Sequence, residues 1–221
     1  MKSKNLHIML MVHTLGETYE APIVEIAAKV FDPETGELGD DHNVSMLNVK
    51  KALLMGKASP GALENYMMAH KYDLMIFHNP GYFETLATAV KKLRDFIEAE
   101  REHAGVKWEN LKIYNLYPAY QLPRITIVDQ AINMEDQAIW PSYGVVCAKT
   151  IQDIARPLLV EHKIDLPVRP PTRNGLVDEC DFQAVVTMHS LRMLNGDHPT
   201  QSGKKSKAVK PTVPAEDDEE L

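Results

Sequence analysis

The N-terminal part of the chain shows the hydrophobic pattern of three neighbouring strands. Residues Leu6 to Val12 are almost continuously apolar, which is typical of a strand buried on both faces of a sheet. Residues Pro22 to Phe31 alternate apolar with polar or small side chains, as a second strand does. The sequence from Asp32 to Glu37 predicts a hairpin turn, because its proline and glycine favour turn geometry. A third strand should return from about Leu38 to Leu47.

The rest of the chain combines helical periodicity with shorter apolar runs. The clearest helix is predicted for Phe83 to Glu102, where apolar side chains recur at helical spacing. An earlier helix, Ala52 to His70, should be broken near Pro60, and the run Tyr72 to Phe77 is ambiguous. The further predicted elements are a strand Leu111 to Leu116, a helix Gln121 to Met134 with Pro123 in its first turn, a short strand Tyr143 to Cys147, a helix Thr150 to His162 interrupted at Pro157, and a helix Asp178 to Leu194. This order predicts an α/β fold, with a mixed sheet flanked by helices.

Composition favours one soluble domain and a tail. The 221 residues are 44% hydrophobic and 25% charged, which suffices for a core without disulfide bonds. A domain is predicted for residues 1–195, followed by a disordered tail, 196–221, that is first basic and then acidic. The net charge of −7 argues against a broadly basic surface, although a local basic groove stays compatible with it. With two cysteines and no apolar run long enough for a signal sequence or a membrane span, we expect a cytoplasmic protein.

The segment from His7 to Gly39 carries a family resemblance. Its first strand leads into Thr14-Leu15-Gly16, the second begins with Ala-Pro-Ile-Val from Ala21 to Val24, and the turn spans Phe31 to Glu37. In this order and spacing the segment resembles the first motif of the DEDD 3′–5′ exonucleases, in particular their phage and bacterial exoribonuclease-like branch. The resemblance implies an RNase H-like fold in which three antiparallel strands precede parallel strands. It continues more thinly to about Leu194.

The residues at the family's catalytic positions are mostly not carboxylates. In that family four carboxylates hold two divalent cations at the scissile phosphate, and in one branch a histidine acts as general base. Carried over position by position, these places fall on the vestigial set Met11, His13, Gln121, Arg173 and Asp178. Arg173 then replaces the general base, and Asp178 alone survives as a carboxylate. Asp129 is a competing candidate for the position given to Gln121.

Each of these positions also has a structural explanation. His13 could be a metal ligand in a rewired site, or a polar side chain at the end of a strand. Arg173 could contact a phosphate, with Tyr120 as a second candidate for nucleic-acid binding, or it could be an ordinary loop charge. Asp178 could bind a metal ion if any binds, or it could cap the last helix.

The resemblance implies a catalytically inactive pseudo-exonuclease that acts as a binding or regulatory protein. Its partner would be a protein, a single-stranded nucleic acid or both, and not a membrane. The likeness to phage members implies a phage origin, with a host protein as a candidate target. One alternative is a divergent active exonuclease on single-stranded RNA or DNA, in which Glu17, Glu20 or Asp129 supplies missing carboxylates. Only in that case would Mg²⁺ or Mn²⁺ be expected as cofactors. The other alternative is a structural or oligomerisation module.

Overall fold

A sheet of five strands forms the centre of the fold. The computed structural model describes residues 5–69, 84–133, 137–170 and 176–197, and only the backbone of residues 40–45 and 69. Within these residues the strands, in the spatial order β3-β2-β1-β4-β5, are β1 (Leu6–Thr14), β2 (Ile23–Asp32), β3 (Glu37–Met46), β4 (Leu111–Asn115) and β5 (Val145–Cys147). The three N-terminal strands pair antiparallel, whereas β4 pairs parallel to β1 and β5 pairs parallel to β4. The predicted mixed sheet is confirmed.

The hairpin between β2 and β3 forms where the turn sequence predicts it. The side-chain carboxylate of Asp32 accepts a hydrogen bond from the N–H of Glu34 at 2.8 Å, and its carbonyl accepts one from the N–H of Gly36 at 2.9 Å. Gly36 has a φ of +82°, a left-handed conformation that glycine adopts without steric cost. The turn sets the register of the hairpin, in which Phe31 lies opposite Leu38.

Helices cover both faces of the sheet. They are α1 (Val49–Leu54), α2 (Pro60–Ala69), α3 (Leu86–Ala104), α4 (Pro118–Ile132), α5 (Ala148–Glu161) and α6 (Leu176–Leu194). One face packs against α3 and α4 through a cluster that includes Leu10, Leu93 and Ile125. The other face packs against α5 and α6 through a cluster that includes Met11, Ala148 and Cys180. Leu10 and Met11 therefore belong to opposite faces, as successive residues of a strand must.

Two predicted helix starts that bear on the candidate site are wrong. Helix α4 begins at Pro118 rather than at Gln121. Pro118, and not Pro123, occupies the first turn, where a proline withholds no N–H that the helix needs. Helix α6 begins at Leu176, so Asp178 lies inside its first turn instead of capping it.

The predicted interruption at Pro157 is also wrong, because α5 runs through this residue. A proline inside a helix removes one backbone hydrogen bond and crowds the preceding turn. Ala155 and Leu159 on either side of Pro157 are buried and pack with Met193 of α6. This packing holds the helix together across the missing hydrogen bond.

Some predictions fall on parts of the chain outside the described residues. These are the run Tyr72 to Phe77, the tail beyond Asp197, and Arg173. Among the helices of the described segments, none combines the length and the apolar character that crossing a membrane requires.

Candidate functional site

The first of the positions carried over from the family lies in the hydrophobic core. Met11, near the C-terminal end of β1, is 7% exposed and belongs to the cluster between the sheet and α6. This cluster also holds Cys180, whose thiol donates weak hydrogen bonds to the carbonyls of Met9 and Ala27 at 3.6 and 3.7 Å. Burial raises the pKa of the Cys180 thiol. A carboxylate at position 11 would lose its hydration among apolar side chains, whereas methionine fills the space.

His13 forms a cross-strand pair with a buried glutamate. Its Nδ1 lies 3.1 Å from an oxygen of Glu25, which stands directly opposite on β2. The His13 side chain is 35% exposed and that of Glu25 only 6%, and the His13 ring meets Tyr66 edge-on at 5.1 Å. His13 is therefore a positioned polar group at the strand end. The sequence interpretation missed Glu25, although an acidic residue inside the apolar run from Ile23 to Ala28 is a signal for a paired, buried carboxylate.

A neutral amide network surrounds Gln121, the third of the positions carried over from the family. Gln121, at the start of α4, is buried, and its Oε1 accepts a hydrogen bond from Nδ2 of Asn115 at 2.9 Å. The same Asn115 amide donates to the carbonyl of Leu10 at 2.7 Å, and its oxygen accepts from the N–H of Tyr117 at 2.8 Å. Asn115 thus ties the end of β4 to β1 and to α4. Sequence analysis did not single it out, although a polar residue closing the strand Leu111–Asn115 was visible.

The competing candidate, Asp129, is a structural residue. Its carboxylate is buried and accepts two hydrogen bonds from the Arg94 guanidinium, at 2.8 and 2.6 Å. It also accepts from Nδ2 of Asn133 at 2.7 Å and from the N–H of Ile139 at 3.1 Å. The bond to Asp129 raises the pKa of Arg94. Both carboxylate oxygens already accept hydrogen bonds, so Asp129 joins α3 to α4 and is not directed at a ligand.

The two other proposed substitutes lie on the surface. Glu20 pairs with Lys57 at 2.8 Å, and the hydrogen bond to Lys57 lowers the pKa of the Glu20 carboxyl. Glu17 is exposed in the same loop. An exposed ion pair of this kind contributes little to stability and holds a carboxylate only loosely.

Asp178 is exposed in the first turn of α6. One turn further along the helix, Asp181 faces a cation instead, because Lys29 of β2 is buried beneath α6 and its Nζ lies 3.7 Å from a carboxylate oxygen of Asp181. Among the described residues there is no group of three or more His, Cys, Asp or Glu side chains that could hold a metal ion. Two magnesium-type cations need several converging carboxylates, and this donor set does not fit them.

Two tyrosines stand beside Gln121 at the start of α4. The rings of Tyr117 and Tyr120 stack at 5.6 Å between centroids with an angle of 21° between planes, and Tyr117 is 43% exposed. Burial raises the pKa of the Tyr120 hydroxyl. Arg124, one turn on, is not free for an anion, because its guanidinium donates to the carbonyls of Ala21 and Met55 at 3.0 and 2.5 Å. The two rings therefore form an aromatic surface, and the guanidinium of Arg124 beside it is already hydrogen-bonded to the backbone.

Solved structures share this fold at low sequence identity. A crystal structure of a full-length 3′-exonuclease has 10% identity and a TM-score of 0.50, and the match covers 96% of this chain and 94% of the other. A zinc-bound complex of E. coli ExoI with single-stranded DNA has 10% identity and a TM-score of 0.53, over 89% of this chain and 42% of that one. Cell-death related nuclease 4 (CRN-4) has 8% identity and a TM-score of 0.50, over 84% and 64%. At such identities these similarities establish the fold alone, and the predicted RNase H-like exonuclease fold is confirmed.

A family model identifies the chain more closely. No curated protein matches the sequence. However, the model of the 3′-5′ exoribonuclease Rv2179c-like domain matches residues 6–188, which span every strand and helix described above except the end of α6. The resemblance found in the first strands therefore extends over most of the chain. The chain belongs to the family of the 3′-5′ exoribonuclease Rv2179c-like domain.

Proposed function

We propose that this member of the exoribonuclease-domain family is a binding or regulatory protein without two-metal nuclease activity. The observation that carries the proposal is the burial of Met11 in the hydrophobic cluster under α6. A thioether is a poor ligand for a hard cation, and a buried apolar environment is a poor place for one.

The neighbouring positions support the same proposal. Gln121 is committed to Asn115, and His13 is held by Glu25, so neither is an unpaired anion directed at a phosphate. Asp178 remains, but a single exposed carboxylate binds Mg²⁺ weakly because the ion keeps its water shell unless several anions converge.

For the partner we propose a single-stranded nucleic acid that stacks on Tyr117 and Tyr120. Aromatic rings support unpaired bases through stacking, which contributes about 1–3 kcal/mol per base. The E. coli ExoI structure of the same fold is described as a complex with single-stranded DNA. Because the chain carries a net charge of −7, its binding should depend on stacking more than on counterion release.

A degradation assay tests the catalytic part. Single-stranded RNA and DNA are incubated with the full chain in the presence of Mg²⁺ or Mn²⁺, beside an Asp178→Ala variant. We expect no metal-dependent shortening of either substrate. Robust degradation that Asp178→Ala abolishes would contradict the proposal and establish the active exonuclease.

A binding titration tests the partner. Fluorescence anisotropy with labelled oligonucleotides at two salt concentrations should show saturable binding that changes little with salt. The double variant Tyr117→Ala/Tyr120→Ala should weaken it by about tenfold or more, since two stacking surfaces are lost. Tyr143→Ala is the matched control, because Tyr143 is also an exposed tyrosine but lies before β5. Unchanged affinity in the double variant, or no binding at all, would remove the nucleic acid from the proposal and leave a protein partner, such as a host protein of a phage-encoded chain.

A further inference from the structure

An exposed apolar patch lies where the loop between β1 and β2, the end of α1 and the outer face of α4 meet. Its large side chains are 62–86% exposed: Tyr19, Leu54, Met55 and Ile127. They surround a depression of about 460 Å³. Single exposed apolar side chains are common on protein surfaces, whereas a contiguous group of large ones marks an interaction surface.

The backbone beneath the patch is held by hydrogen bonds between its three segments. The N–H of Lys57 donates to the carbonyl of Glu20 at 3.0 Å, and the N–H of Ser59 donates to the carbonyl of Leu15 at 2.7 Å. The Arg124 guanidinium of α4 donates to carbonyls of both loops. The apolar side chains therefore stand on a preorganised base, which reduces the entropy that a contact would lose.

A glycine allows the two loops to approach this closely. A Cβ at Gly56 would lie 2.8 Å from the Arg124 guanidinium and 2.9 Å from the backbone nitrogen of Pro22, and closer still to the carbonyl oxygen of Glu20. Any other residue would push the loop after α1 away from the loop between β1 and β2. The position of Met55 beside Tyr19 thus depends on this glycine.

The patch includes one charged side chain of each sign. The Lys57 ammonium lies 2.8 Å from a carboxylate oxygen of Glu20, and both side chains remain accessible. A two-fold axis that passes between these side chains exchanges their positions, so that Glu20 of each copy faces Lys57 of the other. The surface is therefore complementary in charge to itself.

The size of the patch fits a second copy of the chain. At roughly 200 Å² for a fully exposed large side chain, its apolar residues present about 600 Å². A standard interface takes about 800 Å² from each partner, with an apolar core and more polar surroundings. The apolar side chains supply most of this area, and Glu20 and Lys57 add polar surface.

We propose that this patch is the interface of a two-fold symmetric homodimer, in which the end of α1 and the face of α4 around Ile127 pack against the same surfaces of a second copy. Because each chain carries a net charge of −7, two copies repel one another at long range, and contact is favoured where the surface is apolar and locally neutral. The interface does not depend on nucleic-acid binding, and it is tested without nucleic acid.

Sedimentation velocity of the full chain, from micromolar to submillimolar concentration, measures the association. We expect a monomer–dimer equilibrium in the micromolar range. Leu54→Glu and Ile127→Glu should each raise the dissociation constant about tenfold or more, because the two-fold axis brings both copies of the new charge into one buried surface. Ile154→Glu is the matched control, since Ile154 is exposed to nearly the same degree as Ile127 but lies on α5, across the sheet.

A charge exchange tests the two-fold arrangement itself. Glu20→Lys and Lys57→Glu should each dissociate the dimer, because like charges then face one another. An equimolar mixture of the two variants should form a dimer with one chain of each, since opposite charges again meet across the interface. The pair within each chain stays broken in the mixture, so a loss caused by that pair alone would not be rescued. Circular dichroism shows that each variant folds, as expected for exposed side chains.

Several results would overturn the proposal. These are a monomer at submillimolar concentration, a dimer that Ile127→Glu leaves intact or that Ile154→Glu weakens equally, and a mixture of the charge variants that stays monomeric. A monomer whose urea midpoint falls in both Leu54→Glu and Ile127→Glu would overturn it as well, since the patch would then be covered by the chain itself.

Discussion

The pair formed by Arg94 and Asp129 gives the sharpest test of how the candidate site is interpreted. If Asp129 were a displaced metal ligand, its removal would abolish activity and leave stability nearly unchanged. If it is the structural residue described here, Asp129→Ala removes the partner of a guanidinium whose side chain is only 8% exposed. It also removes the acceptor for Asn133 and for the N–H of Ile139.

The expected magnitude follows from taking away the buried partner of Arg94, whose guanidinium keeps only the half-exposed Glu98, at 3.1 Å, as a counter-charge. Removing one partner of a buried ion pair typically costs about 3–5 kcal/mol, because the remaining charge is poorly solvated and poorly neutralised. For a domain of this size each kcal/mol corresponds to about 2–4 °C in Tm, so Tm should fall by roughly 6–20 °C.

Urea unfolding followed by circular dichroism measures this change. Asp129→Ala should lower the transition midpoint with an unchanged slope, whereas Asp95→Ala, which breaks only the exposed pair with Lys91, should stay within about 0.5 kcal/mol of the native chain. The double variant Arg94→Leu/Asp129→Leu should recover much of the loss, since it leaves no unpaired charge. A cost below about 1 kcal/mol for Asp129→Ala would refute the reasoning, because a pair this buried cannot be removed so cheaply.

Three further predictions concern single positions. Met11→Asp should destabilise the fold by several kcal/mol and Met11→Leu by less than about 1.5 kcal/mol in the same urea assay, and equal costs would mean that position 11 is not apolar. Burial lowers the pKa of His7 from 6.5 to about 4. Between these two pH values the unfolded chain therefore binds more protons than the folded chain. Stability should therefore fall by about 3 kcal/mol as the pH drops from 6.5 to 4, and a pH titration of His7→Gln should lack this loss. Gly36→Ala should cost about 1 kcal/mol or more in thermal melts, because its φ of +82° strains a side chain, and an unchanged Tm would contradict this.

Local sequence signals predicted the strands well. The turn from Asp32 to Gly36 and the apolar run of β1 are each formed by residues that are close together in sequence. Both signals can therefore be recognised without knowledge of tertiary contacts. The start of α4 was misplaced because two prolines, Pro118 and Pro123, each suit a first turn, and only packing decides between them. Pro157 was read as a break because sequence shows the lost hydrogen bond and not the burial that offsets it.

The candidate site was predicted where it follows from position along one strand. Met11 and His13 were found because they are set by the register of β1 alone. Glu25 and Asn115 were missed because their roles depend on what lies across the sheet or at the end of a helix. Arg94 was not singled out, since its hydrogen bond to the distant Asp129 is invisible in a local pattern.

The labelling rate of the buried Cys180 thiol would report how often α6 separates from the sheet. This thiol is sealed between β1, β2 and α6, while Cys147 is half-exposed at the start of α5. Alkylating reagents attack thiolates, so they should modify Cys147 directly and reach Cys180 only in the instants when α6 lifts from the sheet. In a Cys147→Ser background the rate of labelling therefore counts those openings. Comparing it with the rate of complete unfolding tells whether the C-terminal helix detaches as an independent unit or only when the whole domain comes apart.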